Sequence, residues 1–274
     1  MTLTDTHAHL YWDKFNEDRD EVIARAAEED ITRILVPGTT LETSLASVEL
    51  AEFQPIIFSA IGIHPTDALT WTEKTRDELE KLAKAHPTKV VAIGEIGLDY
   101  YWDRAPHSLQ KEILEKQLSL AERLNLPIVL HLREKNDAPK GNCAADLLEM
   151  LEKWVASLKL GAHPLTKQPG VLHSFSGTSE IAKRAIALGF MIGVTGPITF
   201  KKMVQRREMI ASLPIENLLI ETDAPFLSPH PKRGKRNEPA YVRFVAEKIA
   251  EIHGKSTRDI AEITTANAAR LFNW

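Results

Sequence analysis

Residues 90–124 read VVAIGEIGLDYYWDRAPHSLQKEILEKQLSLAERL, and this stretch holds the repeating unit of the whole chain. Its first part, Val90 to Leu98, is short and apolar enough to be buried on both sides, as a strand inside a parallel sheet must be. Beyond Pro106 the period changes. Leu109, Ile113, Leu114, Leu118, Ala121 and Leu124 recur near every ~3.6 residues. Lys111, Glu112, Glu115 and Glu122 take the opposite side, so a helix is predicted over Ser108 to Leu124 with one face on a sheet.

The same alternation extends in both directions. Further β-rich runs lie at Thr2 to Asp5, Ile31 to Pro37, Ile56 to His64, Ile128 to Arg133, Val171 to Phe175, Met191 to Thr195 and Leu218 to Asp223, which makes eight in all. Helical patterns lie between them at Asp13 to Glu29, Thr72 to His86, Ala144 to Leu158, Ser179 to Leu188 and Lys202 to Leu213. A last helix, Ser256 to Leu271, opens with Ser256 and Asp259 at capping-box spacing. Repeated strand-helix units imply a parallel sheet, and eight of them close into an α/β barrel of the TIM type, (β/α)8. No linker or composition shift divides the chain, so residues 1–274 are expected to form a single domain. An extended loop-helix segment, 134–170, with Pro139, Gly141, Pro164 and Pro169, is expected between the fifth and sixth strands.

Composition narrows the chemistry. The hydrophobic fraction is 43% with 26% charged residues, ordinary for a globular protein. No run reaches the ~18 apolar residues of a membrane helix. MTLTDTHAHL has no basic or apolar leader pattern, so a cytoplasmic location is the expectation. The single cysteine, Cys143, excludes an internal disulfide and a cysteine-rich zinc site, which leaves imidazole and carboxylate as metal ligands. A net charge of -4 argues against binding a polyanion by bulk charge, so a local basic patch or metal ions must do it.

In a (β/α)8 barrel the active site is built at the strands' C-terminal ends. The first run ends in His7-Ala8-His9, whose alternate imidazoles share one face. Two histidines alone are weak grounds. The fourth run adds Glu95 between Gly94 and Gly97 in a segment too apolar for an unpaired charge, which costs several kcal/mol unless paired or ligated. His131 ends the fifth run, His173 the sixth, and Glu221-Thr222-Asp223 the eighth. Six ligand-type side chains at the ends of five strands point to a metal centre made of His7, His9, Glu95, His131, His173 and Asp223.

These residues lie within motifs that resemble the TatD family of metal-dependent deoxyribonucleases, among the amidohydrolase-like barrels. The matching stretches are DTHAHL (5–10), GIHP (62–65), GEIGLDYY (94–101), HLR (131–133), HSFSG (173–177), ETDAP (221–225) and KRNEPAYV (235–242), in family order from end to end. The resemblance implies two divalent ions, drawn from Zn, Mn, Mg, Ni or Co. His7, His9, Glu95 and Asp223 would hold one, and Glu95, His131 and His173 the other. Glu95 as the bridge also fits the strand itself, whose interior offers no other ligand. The catalytic pair implied is Glu95 and Asp223, with Asp223 orienting or deprotonating the attacking water. The function implied is hydrolysis of DNA, as a 3′→5′ exodeoxyribonuclease, with nucleic acid as the partner, no membrane and no obligate protein partner.

Substrate contacts are expected from His64, Arg133, Tyr100, Lys235 and Arg236. His64 reads equally as a phosphate contact or a structural histidine. Arg133 reads as a phosphate clamp or the partner of Glu221 in a buried ion pair. Tyr100, with Tyr101 and Trp102, reads as a base-stacking surface or a packed loop, and Lys235 and Arg236 as a nucleic-acid contact or a solvated loop. The family's HxR is followed directly by Asp-Ala, whereas here Glu134-Lys135-Asn136 intervene, which puts the shape of the groove in doubt rather than the ligands. Two rival functions remain: an ester or amide hydrolase such as a D-aminoacyl-tRNA deacylase, and a metal-bound scaffold without catalysis.

Overall fold

The computed structural model describes residues 1–274. Eight strands pair in parallel in chain order: β1 (Leu3–Asp5), β2 (Ile31–Pro37), β3 (Ile57–Ile61), β4 (Val90–Asp99), β5 (Ile128–Arg133), β6 (Gly170–Leu172), β7 (Met191–Val194) and β8 (Leu218–Ile220). The last strand returns to the first just beyond their ends. Thr6 N–H donates to Ile220 O (3.1 Å), Asp223 N–H to His7 O (2.8 Å) and His9 N–H to Ala224 O (2.7 Å), which closes the expected barrel. Each strand is followed by one helix: α1 (Arg19–Glu28), α2 (Leu41–Phe53), α3 (Glu73–Ala85), α4 (His107–Leu124), α5 (Asn142–Leu160), α6 (Ser179–Ala187), α7 (Val204–Ala211) and α8 (Val242–His253). A ninth, α9 (Thr257–Phe272), follows α8 directly and starts with the reciprocal Ser256/Asp259 cap. No helix is long and apolar enough to cross a membrane.

Two apolar clusters organise these parts. The larger lies between the strands and the outer helices. The smaller joins Leu35, Val129, Val171, Met191 and Leu219, near the strands' N-terminal ends, to Leu271 and Phe272 of α9, so α9 plugs the floor. Side chains alternate along a strand, so residues two steps on from these floor residues also face inward. Val129 leads to His131 within β5, while Val171 and Leu219 lead to His173 and Glu221 just past the ends of β6 and β8. The polar residues of the upper barrel therefore stand directly above an apolar plug.

Two expectations need adjustment. The runs ending at His64, Phe175 and Asp223 are strands only to Ile61, Leu172 and Ile220, so His173 and Asp223 sit on the turns leaving the strands. Ser174 and Asp223 take left-handed backbone angles there, with φ of 44° and 55°. The helix expected over Asp13 to Glu29 breaks into a short turn at Asp13–Phe15 and α1, leaving a loop at the barrel mouth. The segment 134–170 is, as expected, a loop-helix segment built around one helix, α5. Its N-terminus is capped by the Glu134 carboxylate, which accepts from Ala144 N–H (2.7 Å) and Cys143 N–H (3.3 Å).

Candidate metal centre

Glu95 is buried at the centre of the barrel mouth. One carboxylate oxygen, Oε1, lies 2.9 Å from His131 Nδ1, 3.0 Å from His173 Nε2 and 3.5 Å from His64 Nε2. The other, Oε2, lies 3.3 Å from His7 Nε2 and 3.6 Å from His9 Nε2. Asp223 Oδ1 faces the same two imidazoles from the turn after β8, at 3.5 Å from His9 and 3.9 Å from His7. The fold thus gathers the other five ligand candidates around the Glu95 carboxylate, with His7, His9 and Asp223 on one side and His131 and His173 on the other.

The electrostatics of the cluster follow from this crowding. Burial opposes ionisation of Glu95, but His173, His64, His7 and His131 outweigh it and hold the carboxyl well below its usual range. Burial likewise opposes the Asp223 anion, which His9, His173 and His7 nonetheless favour. Burial lowers His7 and His64, each helped by a neighbouring imidazole, so both stay neutral near pH 7. His173 and His131 go the other way: burial is overcome by Glu95 and Glu221 in the first and by Asp99 and Glu95 in the second.

The donor set fits a divalent cation. His7 Nε2 and His9 Nε2 are 3.2 Å apart, and both face carboxylate oxygens at 3.3–3.9 Å, longer than good hydrogen bonds. Ligands held at metal–nitrogen distances of about 2.0–2.1 Å in a tetrahedron are separated by about 3.3 Å. Two imidazole nitrogens and two carboxylates converging at such spacing, with little hydrogen-bond satisfaction among themselves, have the arrangement of a ligand cage.

Behind these groups stand partners that the sequence did not reveal. Asp99, buried at the end of β4, accepts from or binds His131 Nε2 at 2.9 Å through Oδ2, while its Oδ1 accepts from Tyr101 N–H and Trp102 N–H at 2.9 and 2.8 Å. Glu221 is fully buried, accepts from Ser174 N–H (2.8 Å) and lies 3.6 Å from His173 Nδ1. Gly193 on β7 makes room for that carboxylate, since a Cβ there would overlap it. Tyr11 hydroxyl meets His9 Nδ1 at 3.1 Å. Such outer contacts set the tautomer and angle of a ligating imidazole. Their signal in sequence was only an acidic residue in an apolar strand, which Asp99 and Glu221 share with Glu95.

The expected substrate contacts divide. His64 lies at the mouth, its Nδ1 accepting from Thr66 N–H (3.2 Å), which leaves Nε2 as the protonated nitrogen pointing at the cluster. Arg133 does not pair with Glu221; it binds Asp137 (2.8 Å) and stacks on Tyr101 at 3.7 Å. Tyr100 is not a stacking surface. Its ring is buried flat against His107 at 3.5 Å and its hydroxyl donates to Asp146 (2.5 Å). Arg236 is also taken up internally, bound to both oxygens of Asp18 (2.7 and 2.6 Å) and to Lys14 O (2.6 Å). Lys235 alone of that pair projects freely into solvent.

Comparison with known proteins gives a consistent result. The family profile described as "TatD related DNase" matches residues 4–273. The metal-dependent hydrolase YabD of Bacillus subtilis (strain 168) is 43% identical over 270 residues, 98% of each chain. A protein named 3′-5′ ssDNA/RNA exonuclease TatD, from Escherichia fergusonii, is 35% identical over 276 residues, again 98% of each chain. The crystal structure of YjjV, a TatD homologue from Escherichia coli K12, superposes with a TM-score of 0.87 at 32% identity, covering 99% of this chain and 98% of the other.

Proposed function

The chain belongs to the TatD-related DNase family of metal-dependent hydrolases, and on that premise we propose that it hydrolyses the phosphodiester backbone of single-stranded DNA from the 3′ end. The observation that carries this reading is Glu95, whose two oxygens face two separate sets of imidazoles. His7, His9, Glu95 and Asp223 would hold one divalent ion, and Glu95, His131 and His173 a second. By donor type these sites accept Zn, Mn, Mg, Ni or Co. When bound, such ions neutralise charge on a phosphodiester and lower the pKa of water. The relative named as an exonuclease of single-stranded DNA and RNA supports the substrate and the polarity.

The chain's own groups supply the rest. Asp223 is held as an anion and turns Oδ1 to His9 and His7, so Oδ2 is left to accept the proton of the attacking water. His64, neutral and protonated on Nε2, donates a hydrogen bond to a non-bridging phosphate oxygen or to the departing 3′ oxygen. Arg133, kept in place by Asp137 and Tyr101, and the exposed Lys235 supply positive charge for flanking phosphates.

The test is cleavage of end-labelled single-stranded and duplex DNA by metal-stripped protein reconstituted with Mg²⁺, Mn²⁺ or Zn²⁺, beside Glu95→Gln. A ladder shortening from the 3′ end, dependent on metal and abolished by the substitution, is the expected outcome. Absence of cleavage with every metal refutes the nuclease reading and turns the search to aminoacyl esters and amides.

A further inference from the structure

Beside the His9 and Asp223 side of the cluster stand two aromatic rings that neither the barrel core nor the ligand set explains. Trp12 is half-buried and Phe226 is exposed. Their rings meet at 90° with centroids 4.9 Å apart, forming a notch with two apolar walls. His9 lies 5.8 Å from Trp12 and 6.5 Å from Phe226, so the notch opens directly onto the metal-ligand cluster. Lys14 Nζ sits 5.2 Å over the Phe226 ring and adds a positive charge at the rim.

Both walls are held rigidly. The Trp12 loop is fixed by Arg19, which donates to Leu10 O (2.7 Å) and Tyr11 O (3.4 Å), and by Arg236, which donates to Lys14 O and grips Asp18. The Phe226 loop is fixed by Asn237, whose amide donates to Thr222 O (2.8 Å) and Phe226 O (2.6 Å). Seven side-chain hydrogen bonds thus fix the two loops that carry these rings. Exposed rings fixed in this way lose little entropy when a flat ligand stacks on them. The other aromatic pair at the mouth differs, since Arg133 already covers Tyr101 at 3.7 Å.

We infer that the Trp12–Phe226 notch is a nucleobase subsite: it stacks the base of the nucleotide next to the scissile phosphate, with Lys14 facing the adjoining phosphate. The inference rests on the nuclease reading and adds where the base sits and what holds it. Stacking tolerates every base, so the subsite favours unpaired over paired nucleotides without reading sequence.

The experiment compares metal-loaded wild type, Trp12→Ala, Trp12→Phe and Phe226→Ala on a single-stranded oligodeoxythymidine and on the same strand made abasic at its last two 3′ positions. Binding is followed in parallel by fluorescence anisotropy with Ca²⁺ present. Loss of a base–aromatic stack is expected to lower kcat/KM roughly 5- to 150-fold in Trp12→Ala, with recovery in Trp12→Phe. On the abasic strand wild type and Trp12→Ala should be equally slow, because the partner of the ring is gone. A Trp12→Ala enzyme that cleaves oligodeoxythymidine like wild type overturns the subsite and leaves the nuclease reading standing. A wild type that binds the strand through Trp12 without cutting it keeps the subsite and sinks the nuclease reading. Neither binding nor cleavage sinks both.

Discussion

Asp99→Asn is the substitution whose consequence follows most directly from the geometry. A histidine that ligates through Nδ1 must carry its proton on Nε2, and in this protein that proton goes to Asp99 Oδ2 at 2.9 Å. The other oxygen of Asp99 is already committed to Tyr101 N–H and Trp102 N–H. An asparagine keeping those two bonds must turn its NH₂ toward His131, donor against donor. The ring then escapes by moving its proton to Nδ1, the nitrogen that faces Glu95, and so ceases to be a ligand. The alternative amide orientation breaks the two backbone contacts instead. The first route costs one hydrogen bond to a charged group, about 1.5–3 kcal/mol, or roughly 10- to 150-fold in an equilibrium constant, and the second costs two. Outer-shell substitutions elsewhere weaken metal binding by about 10- to 100-fold, the same range. Titration of metal-stripped protein against a chromophoric chelator should show one affinity falling by that factor and the other nearly unchanged. Equal affinities in Asp99→Asn and wild type at both sites would refute the tautomer argument.

Three further outcomes are expected. In Gly193→Ala the new Cβ displaces the Glu221 carboxylate, so overpacking of about 1–3 kcal/mol adds to a lost charged hydrogen bond at Ser174 of about 1.5–3 kcal/mol, and calorimetry should find the melting point about 4–10 °C lower. Asp223→Asn should lower kcat by at least about 100-fold, the scale of a lost general base, with both ions still measurable by elemental analysis; full turnover would remove Asp223 from that role. The raised His131 and His173 predict opposite pH trends with and without metal. In the metal-free fold their contribution is complete below the unfolded value near 6.5 and fades as pH rises through the raised folded values, so their share of the stability should be lost as pH climbs above about 6.5. Metal must displace those protons, so metal affinity should rise over the same interval, with proton release seen by calorimetry in two buffers.

How much was legible follows from the range of the forces involved. Strand and helix periods are local, so the alternation seen at residues 90–124 and repeated along the chain was enough to imply a barrel, and the burial cost of a charge in an apolar strand was enough to mark Glu95 as paired or ligated. His131, His173 and Asp223 stood out as ligand-type side chains at the ends of apolar runs. The family motifs, spread from end to end, carried the resemblance that the comparisons bear out. The partners of charged and aromatic side chains were another matter. Arg133 chose Asp137 over Glu221, Arg236 chose Asp18 over solvent, and Tyr100 turned inward onto His107. Asp99 and Glu221 look like Glu95 in the sequence and differ from it by which imidazole nitrogen they meet. Trp12 and Phe226 lie on loops at opposite ends of the chain, and only closure of β8 onto β1 brings them together. Hydrogen bonds and ion pairs act over a few ångströms, so these choices depend on where distant loops land, and only the closed barrel decides that.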